Sequence, residues 1–139
     1  WKKNLNINVT LQNQEWKVYL DRQREMDYQV SRAGWTGDYP DPNTFLDMWT
    51  SWSQQNQTGW SKPDYDALIR KAAVTKDPAA RLEVFQQAEE ILLDELPIIP
   101  IYIYTRVYAL HPAVKNWHAN VLDHHPWKHV DLDLSKLKE

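Results

Sequence analysis

The stretch Tyr28-Gln-Val-Ser-Arg-Ala-Gly-Trp-Thr-Gly-Asp-Tyr-Pro-Asp-Pro-Asn-Thr-Phe-Leu46 decides how this chain is read. It begins as a short strand and runs out of apolar character at Gly34. An arginine, a tryptophan and an aspartate then lead into a Pro-rich loop, and helical periodicity resumes at Phe45. Strand ends that open into loops are where α/β sheets place ligands, because the loops converge on a crevice. Arg32, Trp35 and Asp38 thus offer a cation, an indole and a carboxylate within seven residues, enough to serve both charged ends of a zwitterion. The competing reading is a set of loop charges that are merely solvated.

Upstream, Leu5, Ile7, Val9 and Leu11 alternate with Asn6, Asn8 and Thr10, the period of a half-buried strand. Glu15 to Met26 follows, with Trp16, Tyr19 and Leu20 on one helical face and charges on the other. Strand, helix and strand with short connections predict a right-handed βαβ unit of a parallel sheet.

Downstream, Pro40 and Pro42 enforce an extended loop, and a short helix is expected around Phe45 to Trp52. Ser51 to Ser61 is polar and reads as a surface loop. Pro63 suits the first turn of a helix carrying Tyr65, Leu68, Ile69 and Ala72. Asp77-Pro78 is a cap followed by a first-turn proline, and it opens a helix with Leu82, Phe85, Ala88, Leu92 and Leu96 at core spacing. Ile98 to Leu110 alternates as a return strand, Ile101 and Ile103 against Tyr102 and Tyr104, with Pro100 at a bulge or edge. Beyond His111-Pro112 the periodicity is lost.

Composition bounds the function. One domain's worth of chain, 139 residues, carries 25% charged and 42% hydrophobic residues, which suits a folded protein. The formal charge is -3 and the sixteen Lys and Arg are dispersed, which argues against nucleic acid as a partner. No cysteine is present, so disulfides, thiolate metal sites and Cys nucleophiles are excluded. Eight Trp and seven Tyr against two Phe favour aromatics with a polar handle, suited to pocket walls as well as to a core. The opening Trp1-Lys-Lys-Asn-Leu enters structure almost at once, and we expect an excised or processed portion of a longer protein.

His118, His124, His125 and His129 crowd the C-terminal part beside Asp123 and Asp131. Only His125 and His129 have helical spacing and Pro126 interrupts that turn, so a surface tail is expected and no metal site. Neither a nucleophile elbow nor a phosphate-cradling Gly-rich loop is present, with three Gly in all. An Asp38–Asp41 acid/base pair is the remaining catalytic option, and nothing in the sequence sets their separation or raises either pKa. No enzyme is expected. Binding fits better: an extended peptide pairs with the Tyr28 to Thr36 edge, Gly34 admits its backbone, Asp38 meets its ammonium and Arg32 its carboxylate.

These residues resemble the C-terminal portion of the extracytoplasmic peptide-binding proteins of ABC importers, bacterial solute-binding protein family 5. Within these they are most similar to the periplasmic oligopeptide-binding proteins. The resemblance runs from Trp1 to about Pro112 through Asn13-Gln-Glu-Trp16, Arg32-Ala-Gly-Trp-Thr-Gly-Asp-Tyr39, the Asp77 helix and Ile99-Pro-Ile-Tyr-Ile-Tyr104. It implies an α/β lobe of a type II periplasmic-binding-protein fold, residues 1–112, with residues 113–139 belonging to the other lobe. It implies capture of short peptides in extended form, no cofactor, an inner-membrane ABC permease as partner and a periplasmic location. By resemblance, Asp38 holds the peptide's amino terminus, Gly34 and Thr36 pair with its backbone, and Trp35 lines a side-chain pocket. Arg32 takes the carboxylate of a shorter peptide, and Tyr104 lies near the ligand. Thr36-Gly37 stand where a relative has Cys-Ala, with the loop length unchanged. The alternatives are another cargo, such as a cell-wall peptide, a metal chelate or a sugar-like ligand, and a carboxylate-dependent hydrolase. A lone lobe also leaves an unpaired edge, so self-association is expected.

Overall fold

The computed structural model describes residues 1–138. Its centre is a helical hairpin of α4 (Pro63–Val74) and α5 (Pro78–Glu95). The local signals for both helices operate. Pro63 sits in the first turn of α4, where its missing N–H removes a donor that has no intrahelical acceptor. The Asp77 carboxylate caps α5, accepting from the Ala80 N–H at 2.8 Å. Leu96 ends α5 in the left-handed region at φ 50°, and Pro97 follows.

Tyr65, Ile69 and Ala72 of α4 meet Val84, Phe85, Ala88 and Leu92 of α5. Leu46 joins them from α3 (Asn43–Leu46), which a 3-10 turn (Asp47–Trp49) continues. Burying one large apolar side chain here is worth about 1.5–3 kcal/mol. Leu82 and Leu96, expected in this core, are each 56% exposed. Leu82 lies two positions before Val84, about 200° around the helix and off the buried face. Leu96 is turned away by the left-handed cap.

The Ser51 to Ser61 loop is irregular as expected, yet it is cross-linked. Asn56 Nδ2 donates to the carbonyls of Trp49 (3.1 Å), Thr50 (3.3 Å) and Trp60 (2.9 Å). Asp66, buried, accepts from the Ser51 N–H at 3.0 Å and from the Ser51 hydroxyl at 2.5 Å. Tyr65 Oη donates to the Leu46 carbonyl at 2.5 Å, and burial raises its phenol pKa. These bonds fasten the loop and α3 to α4.

Upstream, α2 (Trp16–Arg24) forms as expected, capped by Glu15, whose carboxylate accepts from the N–H groups of Lys17 and Val18. The strand expected at Leu5 to Leu11 is not formed. Instead α1 (Lys2–Leu5) ends in Asn6 at φ 55°, and residues 7–15 carry no regular structure. The segments Tyr28 to Trp35 and Ile98 to Leu110 likewise carry no ladder. The reason is non-local: a strand persists when a neighbour takes its main-chain N–H and C=O groups, and no such neighbour lies among the described residues. The α/β expectation is therefore met here in its helices, without a parallel sheet.

The sheet found among the described residues lies where none was expected. It pairs β1 (Val114–Lys115) with β2 (Asp131–Leu132), antiparallel, Val114 opposite Leu132. The Asp133 N–H adds a bond to the Ala113 carbonyl at 2.7 Å. Trp117 stacks on His125 at 3.7 Å between ring centroids, with Tyr108 and Trp127 edge-on around it. The tail is thus a small aromatic cluster rather than a loose appendage.

Candidate functional site

The segment from Tyr28 to Trp35 is fixed by side chains in place of a ladder. Tyr19 Oη of α2 donates to the Arg32 carbonyl at 2.8 Å, and Gln23 Nε2 donates to Ser31 Oγ at 2.9 Å. Tyr28 Oη donates to the Gln57 carbonyl at 2.5 Å, and burial raises its pKa. These contacts present residues 32–38 outward from a fastened base.

Two groups of the expected residues emerge. The first joins Arg32, Gly34 and Tyr104. The Arg32 guanidinium donates to Tyr104 Oη and, at 3.4 Å, to Tyr102 Oη, and it lies 5.8 Å from the Tyr104 ring centroid. The two tyrosines pack edge-on at 4.6 Å. A Cβ on Gly34 would lie 3.8 Å from the Tyr104 ring, an ordinary contact, so the described residues do not by themselves demand glycine there. The second group joins Trp35 and Asp38, which line a cavity of about 310 Å³ with Asp47, Met48, Trp52, Ser53 and Gln55. Thr36 stands exposed between the two groups.

The loop carrying Asp38 is held from behind. The Asp38 N–H donates to Thr44 Oγ1 at 3.0 Å, and Thr44 is buried. A Cβ on Gly37 would come within 2.9 Å of the tip of the Phe45 ring and 3.2 Å of Thr44 Cγ2, so a larger residue there requires the exposed Phe45 ring to shift. Asp41 accepts two bonds from the Arg81 guanidinium, at 2.6 and 2.9 Å, and one from the Asn43 N–H at 2.9 Å. The Arg81 bonds hold its carboxyl below the usual carboxylate range. Asp41 is therefore occupied as a brace, and the Asp38–Asp41 acid/base pair is not assembled. The Asp38 carboxylate itself has no donor among the described residues and is exposed. Asp47 is half-buried. Burial, then the charge of Asp38, push its pKa up, against the lowering effect of the Asn43 amide at 2.9 Å.

Tyr102, Asp47, Met48 and Trp52 belong to these groups without having been singled out in the sequence. Tyr102 had a signal, since it alternates with Tyr104 on the same expected face. Asp47 and Trp52 had none, because α3 and the turn after it double back toward Asp38. The tail histidines stay apart from both groups. His125 Nε2 lies 2.9 Å from Asp123 Oδ1, and Arg106 pairs with the same carboxylate at 3.0 Å. Among the described residues, no three His, Asp or Glu gather at metal-binding distances.

Comparison with known proteins places the chain in a family. Residues 1–57 match the family described as bacterial extracellular solute-binding proteins, family 5 middle. The chain is 42% identical over 110 residues to the oligopeptide-binding protein OppA of Bacillus subtilis, covering 78% of this chain and 20% of that protein. It is 41% identical over 120 residues to the periplasmic murein peptide-binding protein MppA of Escherichia coli, covering 86% and 22%. The backbone superposes on Haemophilus influenzae OppA in complex with RPPGFSPFR, with TM-score 0.84 and 34% identity, over 95% of this chain and 26% of that one. It also superposes on the unliganded open form of MppA, with TM-score 0.80 and 38% identity over the same 95%. Those neighbours have the type II periplasmic-binding fold, whose corresponding region this chain reproduces. The chain spans 20–22% of the length of these curated relatives, and it belongs to the family 5 bacterial extracellular solute-binding proteins.

Proposed function

We propose that this chain contributes a peptide-binding wall to the substrate-binding component of an ABC importer, which captures short peptides in extended form outside the cytoplasm. The observation that carries the reading is the Asp38 carboxylate: with no donor among the described residues, it stands at a cavity walled by Trp35 and Trp52. A free carboxylate on a braced loop is a receptor for an ammonium group. Gly34 and Thr36 are exposed residues whose backbone carries no ladder, open to pairing with an extended ligand. Arg32, with tyrosines rather than an acid around it, keeps its charge for a ligand carboxylate. The names of the relatives support the ligand class, and one of them is solved with a peptide bound.

The mechanism is capture without chemistry. Strand-like pairing ignores side chains, and the charged ends set the register. Residues 1–112 form part of one lobe and residues 113–139 belong with the other; the tail's own two-stranded sheet supports a separate C-terminal unit, into which the contacts of Arg106 and Tyr108 draw the end of the preceding segment. The partner for delivery is an inner-membrane permease. A murein peptide is the second cargo to consider, favoured by the 41% identity to a murein peptide-binding protein.

Titration calorimetry of the full-length protein tests the amine assignment. Asp38→Asn is expected to weaken free-amine peptides by roughly ten- to a hundredfold while N-acetylated peptides change little. This follows from about 1.5–3 kcal/mol for a charge-assisted hydrogen bond. Equal losses for both peptide forms would remove Asp38 from the amine site, and a murein tripeptide in the same series separates the two cargoes.

A further inference from the structure

We infer that the cavity beside Asp38 is a pocket for a basic first residue and that Asp47 is the side chain that selects it. This rests on the peptide reading above and specifies its ligand. The cavity holds about 310 Å³, room for one long side chain rather than a whole peptide. Its charged lining residues are Asp38 and Asp47, and no lysine or arginine is among those that line it. Asp47 uses one carboxylate oxygen, Oδ2, for the Asn43 amide at 2.9 Å. Its Oδ1 has no donor among the described residues.

Two carboxylates on one open cavity repel each other, and that repulsion contributes to the raised pKa of Asp47. A peptide ammonium on Asp38 neutralises one of them. The second stays uncompensated unless the ligand brings another cation, which a lysine or arginine at the same residue does. The remaining walls suit such a side chain. Trp35 supplies an indole for a cation, and Met48 a compliant apolar surface for methylenes. Trp52 already carries the Arg70 guanidinium 4.1 Å from its ring centroid, so Trp35 is the aromatic left for the ligand. A glutamate at the first position would add a third carboxylate, and norleucine would fill the space while leaving Asp47 unpaired.

Calorimetry of the full-length protein with the tripeptides Lys-Ala-Ala, norleucine-Ala-Ala and Glu-Ala-Ala tests this. Lys-Ala-Ala is expected to bind roughly tenfold tighter than norleucine-Ala-Ala, with Glu-Ala-Ala the weakest. In Asp47→Asn, the preference for lysine over norleucine should shrink to within about twofold. The wild-type ranking stands as a test even where the variant fails to fold. Equal binding of the lysine and norleucine peptides, or a preference unchanged in Asp47→Asn, overturns the basic pocket and leaves peptide capture intact. Failure of all three to bind overturns the peptide reading, and this inference with it.

Discussion

The guanidinium of Arg32 faces phenol hydroxyls, Tyr104 and Tyr102, and no carboxylate pairs with it among the described residues. A structural ion pair, the alternative role for this residue, is therefore not formed here, and the charge remains available to a ligand. If Arg32 takes a carboxylate at a fixed distance from Asp38, Arg32→Ala should weaken one peptide length selectively in a di- to pentapeptide series. Arg32→Lys should rescue poorly, because lysine lacks the planar fork. A uniform loss across all lengths in the same titrations would mean that Arg32 serves only to seat Tyr104. At this scale the sequence was informative where a residue acts through its own type and position. Arg32, Trp35 and Asp38 stand out because a cation, an indole and an acid follow an apolar run. Asp47 does not, since its place beside Asp38 is created by the chain doubling back through α3.

The Pro-rich loop is braced by one pair of side chains forty residues apart, Asp41 and Arg81. The Arg81 hydrogen bonds depress the folded-state pKa of Asp41. The resulting stability is present above the unfolded-state value of about 3.9 and is lost as pH falls through the folded-state value. Asp41→Asn should therefore cost about 1 kcal/mol at pH 7, allowing for solvent screening of a partly exposed pair, and should lose less than wild type on acidification below about pH 4. Urea unfolding at pH 7 and pH 3 checks this, and identical midpoints for both proteins at pH 7 would show that the brace is not needed. Arg81→Ala should cost more, because Arg81 also donates to the Ala72 carbonyl and lies over Phe85. The helices α2, α4 and α5 were legible in the sequence because caps, first-turn prolines and periodicity are local. The three expected strands were not realised, because alternation specifies a face but cannot supply the neighbouring strand.

For the molecule as a whole, those unpaired segments set the solution behaviour. Between residues 98 and 110, Ile99, Ile101, Ile103 and Val107 are exposed, Ile103 at 92%, and their backbone carries no ladder. An apolar segment of alternating pattern with free main-chain groups is a template for another chain. The net charge of -3 gives little repulsion to oppose contact. The α4–α5 core does not depend on this segment beyond Ile98, so the hairpin can stay folded while the segment pairs. We therefore expect the 139-residue chain, produced alone, to self-associate at micromolar concentration. Ile103→Lys should shift it toward monomer without changing its helical circular dichroism, because a charge in the middle of the template blocks pairing and leaves the core untouched. Light scattering across a concentration series decides the matter. A wild-type chain that stays monomeric throughout would mean that the exposed isoleucines are tolerated in water without a partner. An oligomer unaffected by Ile103→Lys would move the contact elsewhere, to the aromatic surface around Trp117 and Trp127 in the tail.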